Sequence, residues 1–376
     1  MVKRANSFTI KDLKVLIISQ YHNAISNRSE ADIVIGLKKN GVKITVLTIS
    51  NSPLKPLFYK HGIRVLEGHP QSKIDIKALW LLRQLIKEED FDLIHAFNSK
   101  AISVSCLASF GLPVSVVAYI GARDPSVFDP TAFLGIYNPG IDAIICVSDY
   151  VKSDLVARKI VSKEKLFTVP KGIDLNLYEN ISPVSLVSFD IPDSAFVVMG
   201  VANVRPVKGI DYLIKAFAQL HQYNDMYLVL VGKDTDSEKI HHLILQCQNK
   251  GCILTLGYQP NVLPLMKRAN VYIQPSISEG LSKSVMEAMS LRTPVISTRC
   301  GGPEDLIEDQ VSGLLVETAN VDAIALAIQK LYNQRELCQQ FGDSAYKFLS
   351  ESYTITSSVE QTIEVYNAVL NRYLRR

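Results

Sequence analysis

Two glutamates at a loop–helix junction are the residues best suited to do chemistry in this sequence. Glu279 lies in the loop after an apolar strand, with seven residues between it and Glu287, which belongs to a helix that Ser282 can cap. The free N–H groups at such a helix start favour an anion such as a diphosphate, and Gly280 allows close backbone approach. Because apolar residues flank Glu287, its carboxylate needs hydrogen-bond donors. A ribose diol would supply two, and a salt bridge at the helix flank is the alternative.

Two further junctions between a strand and a helix carry groups that suit a phosphate. Arg205 and Lys208 follow one strand, and fixed cations there would stabilise a departing diphosphate. The alternative is that both are solvated surface charges. Gly301 and Gly302 follow the strand PVIST and offer further backbone N–H groups, although a Gly-Gly pair alone is a weak signal.

The elements that must position these residues alternate along the whole chain. Short apolar strands are separated by amphipathic helices, which predicts parallel sheets covered by helices on both faces. Roughly a dozen strands are too many for one compact open sheet. The strands are expected at 14–19, 43–48, 63–66, 92–97, 114–119 and 143–148, and then at 195–202, 226–232, 252–257, 271–275, 294–298 and 313–317.

A poorly periodic stretch that contains prolines, residues 174–194, divides the strands into two halves. We therefore expect an α/β protein with two doubly wound Rossmann-like domains, over 1–180 and 190–356. The last helix, 357–376, has an apolar stripe that must pack on another element. Since open parallel sheets bind ligands at the carboxyl ends of their strands, the chemistry is expected in the loops that follow strands.

Composition excludes several classes of protein. The 376 residues are 47% hydrophobic and 20% charged, which excludes a disordered chain. No apolar run is long enough for a membrane span, so a cytoplasmic protein is expected. The six cysteines form no C-x-x-C pair and the seven histidines show no ligand spacing, so no metal site or disulfide is expected. The net charge of +3, without a basic–aromatic motif, disfavours nucleic acid as a partner.

Four motifs, in their order and spacing, closely resemble the retaining glycosyltransferases of family 4, which have the GT-B fold. They are R-P-V-K-G, E-G-L-S-K-S-V-M-E-A-M, P-V-I-S-T-x-x-G-G-P-E-D-L-I and S-G-L-L-V. The resemblance is high over 195–350 and fainter in D-L-I-H-A-F-N-S-K-A, I-I-C-V-S-D-Y-V-K-S-D-L and V-P-K-G-I-D-L-N-L-Y. It implies two domains that face each other across a cleft, with the last helix crossing back to the N-terminal domain.

The resemblance implies that a nucleotide-sugar donor binds mainly to the C-terminal domain, without a metal ion or other cofactor. Glu287 would hold the ribose, Arg205 and Lys208 would hold the diphosphate, and Glu279 would lie at the donor sugar near the reacting carbon. The other donor-binding candidates are Gly280, Leu281, Ser282, Lys283, Asn203, Gly232 and Lys171.

The sequence departs from the family pattern on the donor side. Asn203 stands where many members have an arginine, so Arg205 is expected to substitute for it. Lys171 replaces a frequent asparagine and is expected to alter donor contacts. The loop after the first strand lacks the usual Gly-Gly, which leaves Asn27 and Arg28 as candidates there.

The acceptor is expected to bind mostly to the N-terminal domain, where the sequence again departs from the pattern. Many members have a histidine after the strand that corresponds to 114–119. Here we expect Asp124 to be the acceptor-side acid or base, and its alternative role is to cap the turn before Pro125. Further candidates on this side are His95, Asn98 and Arg123.

These observations predict a retaining glycosyltransferase that moves a sugar from a UDP-sugar, or a GDP-sugar, to a glycan or glycolipid of a bacterial lipopolysaccharide or other cell-surface polysaccharide. Residues 1–180 carry 23 Lys and Arg against 17 Asp and Glu, and residues 181–376 carry 17 against 20. A basic first half fits an anionic, membrane-borne acceptor and peripheral contact with the inner face of the cytoplasmic membrane. One alternative is that the charge difference between the halves is a chance feature of surface composition. The other is that the acceptor is a soluble sugar.

Three other functions fit parts of the sequence. A nucleotide-sugar epimerase of the same fold would convert the donor without an acceptor. A dinucleotide-dependent oxidoreductase ranks low, because no G-x-G-x-x-G follows a strand. A non-catalytic nucleotide-sugar-binding or scaffold protein is the third.

Overall fold

The computed structural model describes residues 12–123 and 130–373, and the chain divides into two compact units. The N-terminal unit contains Met1–Ile173 together with Tyr353–Arg376, and the C-terminal unit contains Asp174–Ser352. The chain therefore leaves the first unit at the start of the poorly periodic stretch and returns to it just before the last helix.

The N-terminal unit is built on a seven-stranded parallel sheet with the order β3-β2-β1-β4-β5-β6-β7. Its strands are β1 (Lys14–Ile18), β2 (Lys43–Thr48), β3 (Arg64–Glu67), β4 (Leu93–Ala96), β5 (Ser115–Ile120), β6 (Ala143–Cys146) and β7 (Leu166–Thr168). Its helices are α1 (Arg28–Lys39), α2 (Lys55–Lys60), α3 (Ile76–Glu89), α4 (Ser99–Ser109), α5 (Asp149–Arg158) and the last helix of the chain, α13 (Ile355–Tyr373).

The C-terminal unit repeats this plan with six parallel strands in the order β10-β9-β8-β11-β12-β13. They are β8 (Phe196–Val201), β9 (Met226–Val231), β10 (Ile253–Thr255), β11 (Val271–Gln274), β12 (Val295–Thr298) and β13 (Leu314–Val316). The helices are α6 (Ile210–Ala218), α7 (Glu238–Leu245), α8 (Leu263–Arg268), α9 (Lys283–Ser290), α10 (Gly302–Leu306), α11 (Val321–Asn333) and α12 (Arg335–Ser352).

The central strands are buried on both faces, which explains why they read as continuous apolar runs. Four of the five residues of β1 are fully buried, as are all four of β4, β11 and β12. In each sheet the chain order reverses beside one strand, β1 in the N-terminal unit and β8 in the C-terminal unit. The loops after neighbouring strands leave toward opposite faces at these points, so a ligand crevice opens at the carboxyl edge.

The last helix, α13, packs against α1 of the N-terminal unit. Its apolar stripe is buried at Val359, Tyr366 and Val369. The fit is close, because a Cβ at Gly36 of α1 would lie 2.4 Å from Val359 Cγ2. The predicted α/β class, with two doubly wound units and a last helix that returns to the N-terminal unit, is confirmed.

Candidate active site

Three loops at the carboxyl edge of the C-terminal sheet are joined by backbone hydrogen bonds. They follow β8, β11 and β12. Ile277 N–H donates to Val207 O at 2.8 Å, and Glu279 N–H donates to Cys300 O at 2.8 Å. Gly302 N–H returns a bond to Glu279 O at 3.1 Å. The strands are neighbours in the sheet, so the bonds between their loops fix the backbone around Glu279.

Gly302 shows why one of these loops needs a glycine. A Cβ at this position would lie 1.9 Å from Gly280 O and 2.7 Å from Leu281 Cα, both backbone atoms that no rotamer change can move. The Gly-Gly turn after β12 therefore lets two predicted donor-binding residues pack directly on the start of α10.

Glu279 forms the centre of the site. Its Oε1 forms an ion pair with Lys208 Nζ and accepts hydrogen bonds from Ser276 Oγ at 2.9 Å and from Gln274 Nε2 at 3.0 Å. Within the described part of the chain, no side chain bonds to its Oε2. Three donors thus hold one carboxylate oxygen and leave the other for a ligand. The sequence-predicted pair of Glu279 and Lys208 is in direct contact.

Gln274 connects this carboxylate to the start of α9. It is the last residue of β11 and is almost fully buried. Its Oε1 accepts from Tyr272 O–H at 2.6 Å, from Ser284 Oγ at 3.1 Å and from Ser282 Oγ at 3.3 Å. Burial raises the pKa of Tyr272, so its phenol stays protonated and remains a donor. The residues predicted from the sequence did not include Gln274, Ser276 or Tyr272. The signal for them was the polar ending of an otherwise apolar strand.

Glu287 lies one to two turns into α9, close to Lys283. The two side chains form an i,i+4 ion pair of 2.9 Å, and the Glu287 side chain is largely buried whereas that of Lys283 is half-buried. Ser282 caps the helix by accepting from Val285 N–H at 3.4 Å. The salt bridge that the sequence offered as the alternative is therefore present. This ion pair also places the Lys283 ammonium beside Glu287 near the start of α9.

The other predicted donor-binding residues of this unit lie in or beside the loop after β8. Arg205 is exposed, and its guanidinium forms no ion pair with any residue in 12–123 or 130–373. Asn203 Oδ1 accepts from Lys233 N–H at 3.1 Å, which joins this loop to the one after β9. Gly232 adopts a φ of +139°, and a Cβ there would lie 2.1 Å from Ala202 O. Asn203 and Gly232 thus shape the backbone beside Arg205.

In the N-terminal unit, Lys171 is held by Glu30. Lys171 Nζ donates to Glu30 Oε2 at 2.8 Å and lies 4.6 Å from the centre of the Tyr119 ring and 5.6 Å from that of Phe97. Glu30, in the first turn of α1, is almost fully buried, and its Oε1 has no hydrogen-bond partner in the part of the chain that is described. Lys171 is thus a fixed cation over two aromatic rings.

Three of the predicted residues in this unit bond to nearby residues of their own unit. Arg28 donates through Nε to both carboxylate oxygens of Asp32 at 2.9 Å, within α1. Arg123 pairs with Asp154 of α5 at 2.8 Å. Asn27 accepts from Asn23 N–H at 3.3 Å, inside the loop that follows β1.

His95 lies inside the core rather than at the surface. Its Nδ1 is 2.7 Å from Tyr366 Oη of α13, and its ring stacks on Phe97 with centroids 4.3 Å apart. Burial, and to a smaller extent the charge of Lys171, lowers the pKa of His95 to about 3. The imidazole is therefore neutral at physiological pH, and this environment is that of a packing residue.

A cavity of about 310 Å³ opens where β4 and β5 end. Asn98, Tyr119 and Gly121 line it, with Lys73 at one side. Asn98 Oδ1 caps α4 by accepting from Ala101 N–H at 3.0 Å, and its Nδ2 lies 2.9 Å from His69 Nε2. Asp124, the predicted acceptor-side acid or base, lies outside the described residues.

No set of three or more His, Cys, Asp or Glu side chains that could hold a metal ion occurs within 12–123 and 130–373. The positive charges at the C-terminal site are instead those of Lys208, Arg205 and Lys283. In the same ranges, no helix is long and apolar enough to cross a membrane.

Two family models match the chain, one to each unit. The model for glycosyl transferases group 1 matches residues 186–348, and the model for Glycosyltransferase Family 4 matches residues 27–177. Together the two matches span most of the chain.

Curated relatives and solved structures agree with the family models. UDP-Gal:alpha-D-GlcNAc-diphosphoundecaprenol alpha-1,3-galactosyltransferase of Escherichia coli is 24% identical over 317 residues, which is 79% of this chain and 81% of that protein. The MMP alpha-(1->4)-mannosyltransferase of Mycolicibacterium hassiacum is 25% identical over 332 residues, 81% of this chain and 77% of that protein. A UDP complex of the Anabaena protein HepE has a TM-score of 0.81 at 20% identity, and the match covers 95% of this chain and 100% of that one.

Proposed function

This chain belongs to the family 4 glycosyltransferases, and on that premise we propose that it moves a sugar from a nucleoside diphosphate donor to a glycan or glycolipid acceptor with retention of anomeric configuration. The observation that carries the proposal is the Lys208–Glu279 pair, held by Gln274 and Ser276 at the carboxyl edge of three neighbouring strands. This is the edge where open parallel sheets bind their ligands.

In the proposed reaction, the bond between the anomeric carbon and the donor's phosphate oxygen breaks. The acceptor hydroxyl forms the new bond to that carbon from the same face, and its proton passes to the departing phosphate oxygen. Negative charge grows on the diphosphate as it leaves. Lys208, the exposed Arg205 and the N-terminus of α9 are the groups placed to stabilise that charge.

Glu279 has a separate role in this proposal. Its Oε1 is occupied by Lys208, Ser276 and Gln274, so Oε2 is the oxygen that can accept from a sugar hydroxyl. Binding at Oε2 would place the donor sugar beside the cation that stabilises its leaving group. The same anchoring holds the Lys208 ammonium in position before the donor arrives, which lowers the cost of reorganisation.

We propose a UDP-sugar as the donor, with a GDP-sugar as the alternative. The Escherichia coli relative uses UDP-Gal by its name, and the HepE structure holds UDP. That relative also acts on a lipid-linked diphosphate acceptor by its name, which supports a glycolipid here. Lys208, Arg205 and the N-terminus of α9 face the diphosphate in this proposal, so the transfer is expected to proceed without a divalent metal.

The test is release of nucleoside diphosphate from a panel of UDP- and GDP-sugars, with and without lipid-linked acceptors, in the presence of EDTA. Acceptor-dependent release from one donor, lost in Lys208→Ala and retained in Lys347→Ala, is expected. Lys347 is an exposed lysine of α12 outside the three loops, which makes it a matched control. Conversion of the donor sugar without any acceptor would instead identify an epimerase, and no turnover of any donor would overturn the proposal.

A further inference from the structure

The solvent-facing side of α3, at its N-terminal end, is apolar where a surface helix is normally polar. Ile76 and Trp80, one turn apart, are 69% and 70% exposed, and Ile74 just ahead of the helix is 60% exposed. The opposite side of α3 is buried at Ala78, Leu82 and Ile86, so the packing of this helix is already satisfied. We call Ile74, Ile76, Lys77 and Trp80 the α3 surface.

The charge around the α3 surface is positive. Lys73 and Lys77 flank its apolar residues, and Arg83 follows one turn after Trp80. The acidic group among them, Asp75, is used by the fold, because its carboxylate accepts from Ala78 N–H at 3.0 Å and from Gln71 N–H at 2.9 Å. Exposed Trp and Ile beside lysines are typical of helices that lie in the interface of an anionic membrane.

The α3 surface adjoins the cavity at the ends of β4 and β5. Lys73, next to Ile74 in the chain, lines that cavity, and its Nζ bonds to Thr131 Oγ1 of a short 3₁₀ helix. Phe133 of the same short helix is also exposed. A surface that rests on lipid at Ile74 would therefore bring the cavity mouth to the headgroup layer, where a lipid-borne acceptor presents its sugar.

We propose that the α3 surface docks this protein on anionic phospholipid, with Trp80 and Ile76 entering the interface and Lys77 facing lipid phosphates. Docking itself follows from the exposed surface alone. The further conclusion, that the acceptor is lipid-borne and enters through the cavity, rests on the proposed glycosyltransferase function.

The sequence contains a single tryptophan, so its fluorescence reports directly on this surface. Vesicles of phosphatidylglycerol and phosphatidylcholine are expected to shift Trp80 emission to shorter wavelength, and brominated lipid is expected to quench it. Vesicles of phosphatidylcholine alone, or high salt, should weaken both effects, because lysine–phosphate attraction is screened. Unchanged emission at saturating anionic lipid would overturn the proposal, as would a blue shift that depends on protein concentration without lipid, since this indicates self-association.

Two variants keep the reporter and test the surface. Ile76→Glu is expected to weaken vesicle partition at least about tenfold, and Lys77→Glu to weaken it in the same direction. Ile76→Glu should fold normally, because an acidic residue in the first turn of a helix is favourable. The matched control is Leu326→Glu, a 65% exposed residue of α11 in the other unit, which should bind vesicles as the parent does. Equal partition of Ile76→Glu and Leu326→Glu would contradict the proposal.

Transfer assays separate this proposal from the proposed function. Ile76→Glu should retain transfer to detergent-solubilised acceptor and lose it on vesicles. Vesicle binding without transfer to any acceptor would leave docking in place and refute the enzyme function. Transfer on vesicles that is unaffected by Ile76→Glu would leave the enzyme function in place and refute docking as the route to the acceptor.

Discussion

A lysine–glutamate pair with a largely buried carboxylate lies at the carboxyl side of the sheet in each unit, Lys208–Glu279 in the C-terminal unit and Lys171–Glu30 in the N-terminal unit. The two pairs differ in how the carboxylate is satisfied. In the C-terminal unit, Glu279 receives three donors on Oε1, and its side chain remains 13% exposed. In the N-terminal unit, Glu30 is only 3% exposed, pairs with Lys171 through Oε2 and keeps Oε1 without a hydrogen bond within the described residues, although the buried Tyr21 phenol interacts with its charge. The first pair is a supported site at a ligand edge, whereas the second is a buried charge that depends on its partner.

This difference predicts which property each pair controls. A carboxylate that keeps two hydrogen bonds and some water contact tolerates the loss of its lysine, so Lys208 matters for rate more than for stability. A buried carboxylate whose charge is balanced by one lysine tolerates that loss poorly, so Lys171 matters for stability first.

The largest expected effect is on the stability of the N-terminal unit. Lys171→Met keeps the aliphatic contact with Tyr119 and Phe97 but leaves Glu30 as an unpaired buried charge. The free energy of unfolding is expected to fall by about 3–5 kcal/mol. Urea unfolding followed by circular dichroism measures it, and hydrogen exchange of the β1 amides assigns the transition to this unit.

The control for that variant is Glu30→Gln combined with Lys171→Met, which removes both charges. It should recover much of the lost stability, because no buried charge is left unpaired. A loss below about 1 kcal/mol for Lys171→Met is what an ordinary surface ion pair gives. It would contradict the claim that the Lys171–Glu30 pair controls stability.

The next effect is on the rate of transfer. Lys208→Ala is expected to lower kcat by about 10²–10³, the usual cost of removing a preorganised charge-stabilising group. Its stability loss should be smaller than that of Lys171→Met, since Gln274 and Ser276 still bond to Glu279. Steady-state kinetics and urea unfolding on the same preparations give both numbers. A variant with normal kcat and reduced stability would reverse the assignment of the two pairs.

A smaller expected effect is the pH dependence of the stability of the N-terminal unit. The pKa of His95 falls to about 3 in the folded chain and that of His69 to about 4, both chiefly through burial. Each folded pKa lies below the ordinary value of about 6.5, so the unfolded state binds the proton more tightly. Stability is therefore full above pH 6.5 and is lost as the pH falls toward 4, by about 1.4 kcal/mol per pH unit for each histidine.

His95→Gln tests this dependence. The amide can still bond to Tyr366 but takes up no proton, so the free energy of unfolding should fall less steeply between pH 6.5 and pH 4 than in the parent. Parallel slopes in the two proteins would show that His95 does not titrate on unfolding.

Much of the fold could be predicted because it follows from local pattern. All twelve expected strands are present, since buried parallel strands are apolar throughout and stand out between amphipathic helices. The strand β7 was not predicted, because its three residues, LFT, directly follow lysines and give no period. Helices α2 and α5 bury one and two residues respectively, which is too few for a recognisable apolar stripe.

The candidate site was predictable only where chemistry shows in residue type and spacing. Glu279 and Lys208 could each be selected from the motifs, but their ion pair and the support of Gln274 could not, because the partners of Gln274, Tyr272 and Ser284, lie on either side of a loop. His95 illustrates the reverse. It was selected for its residue type, whereas its burial depends on Tyr366, 271 residues away, which no local pattern reveals.

Nucleotide binding by Glu287→Ala tests the central claim, that the loops of the C-terminal unit hold the donor's nucleoside diphosphate. The thermal unfolding of the parent and of Glu287→Ala is compared across UDP, GDP, ADP, CMP and NAD, with Lys347→Ala, a change at an exposed lysine of α12, as the control. A nucleotide at about 100 times its Kd stabilises its protein by about 2.7 kcal/mol. We predict a rise in Tm with one nucleoside diphosphate, UDP before GDP, that is lost in Glu287→Ala and retained in Lys347→Ala. No rise with any diphosphate at millimolar concentration, or an equal rise in parent and Glu287→Ala, would contradict the account.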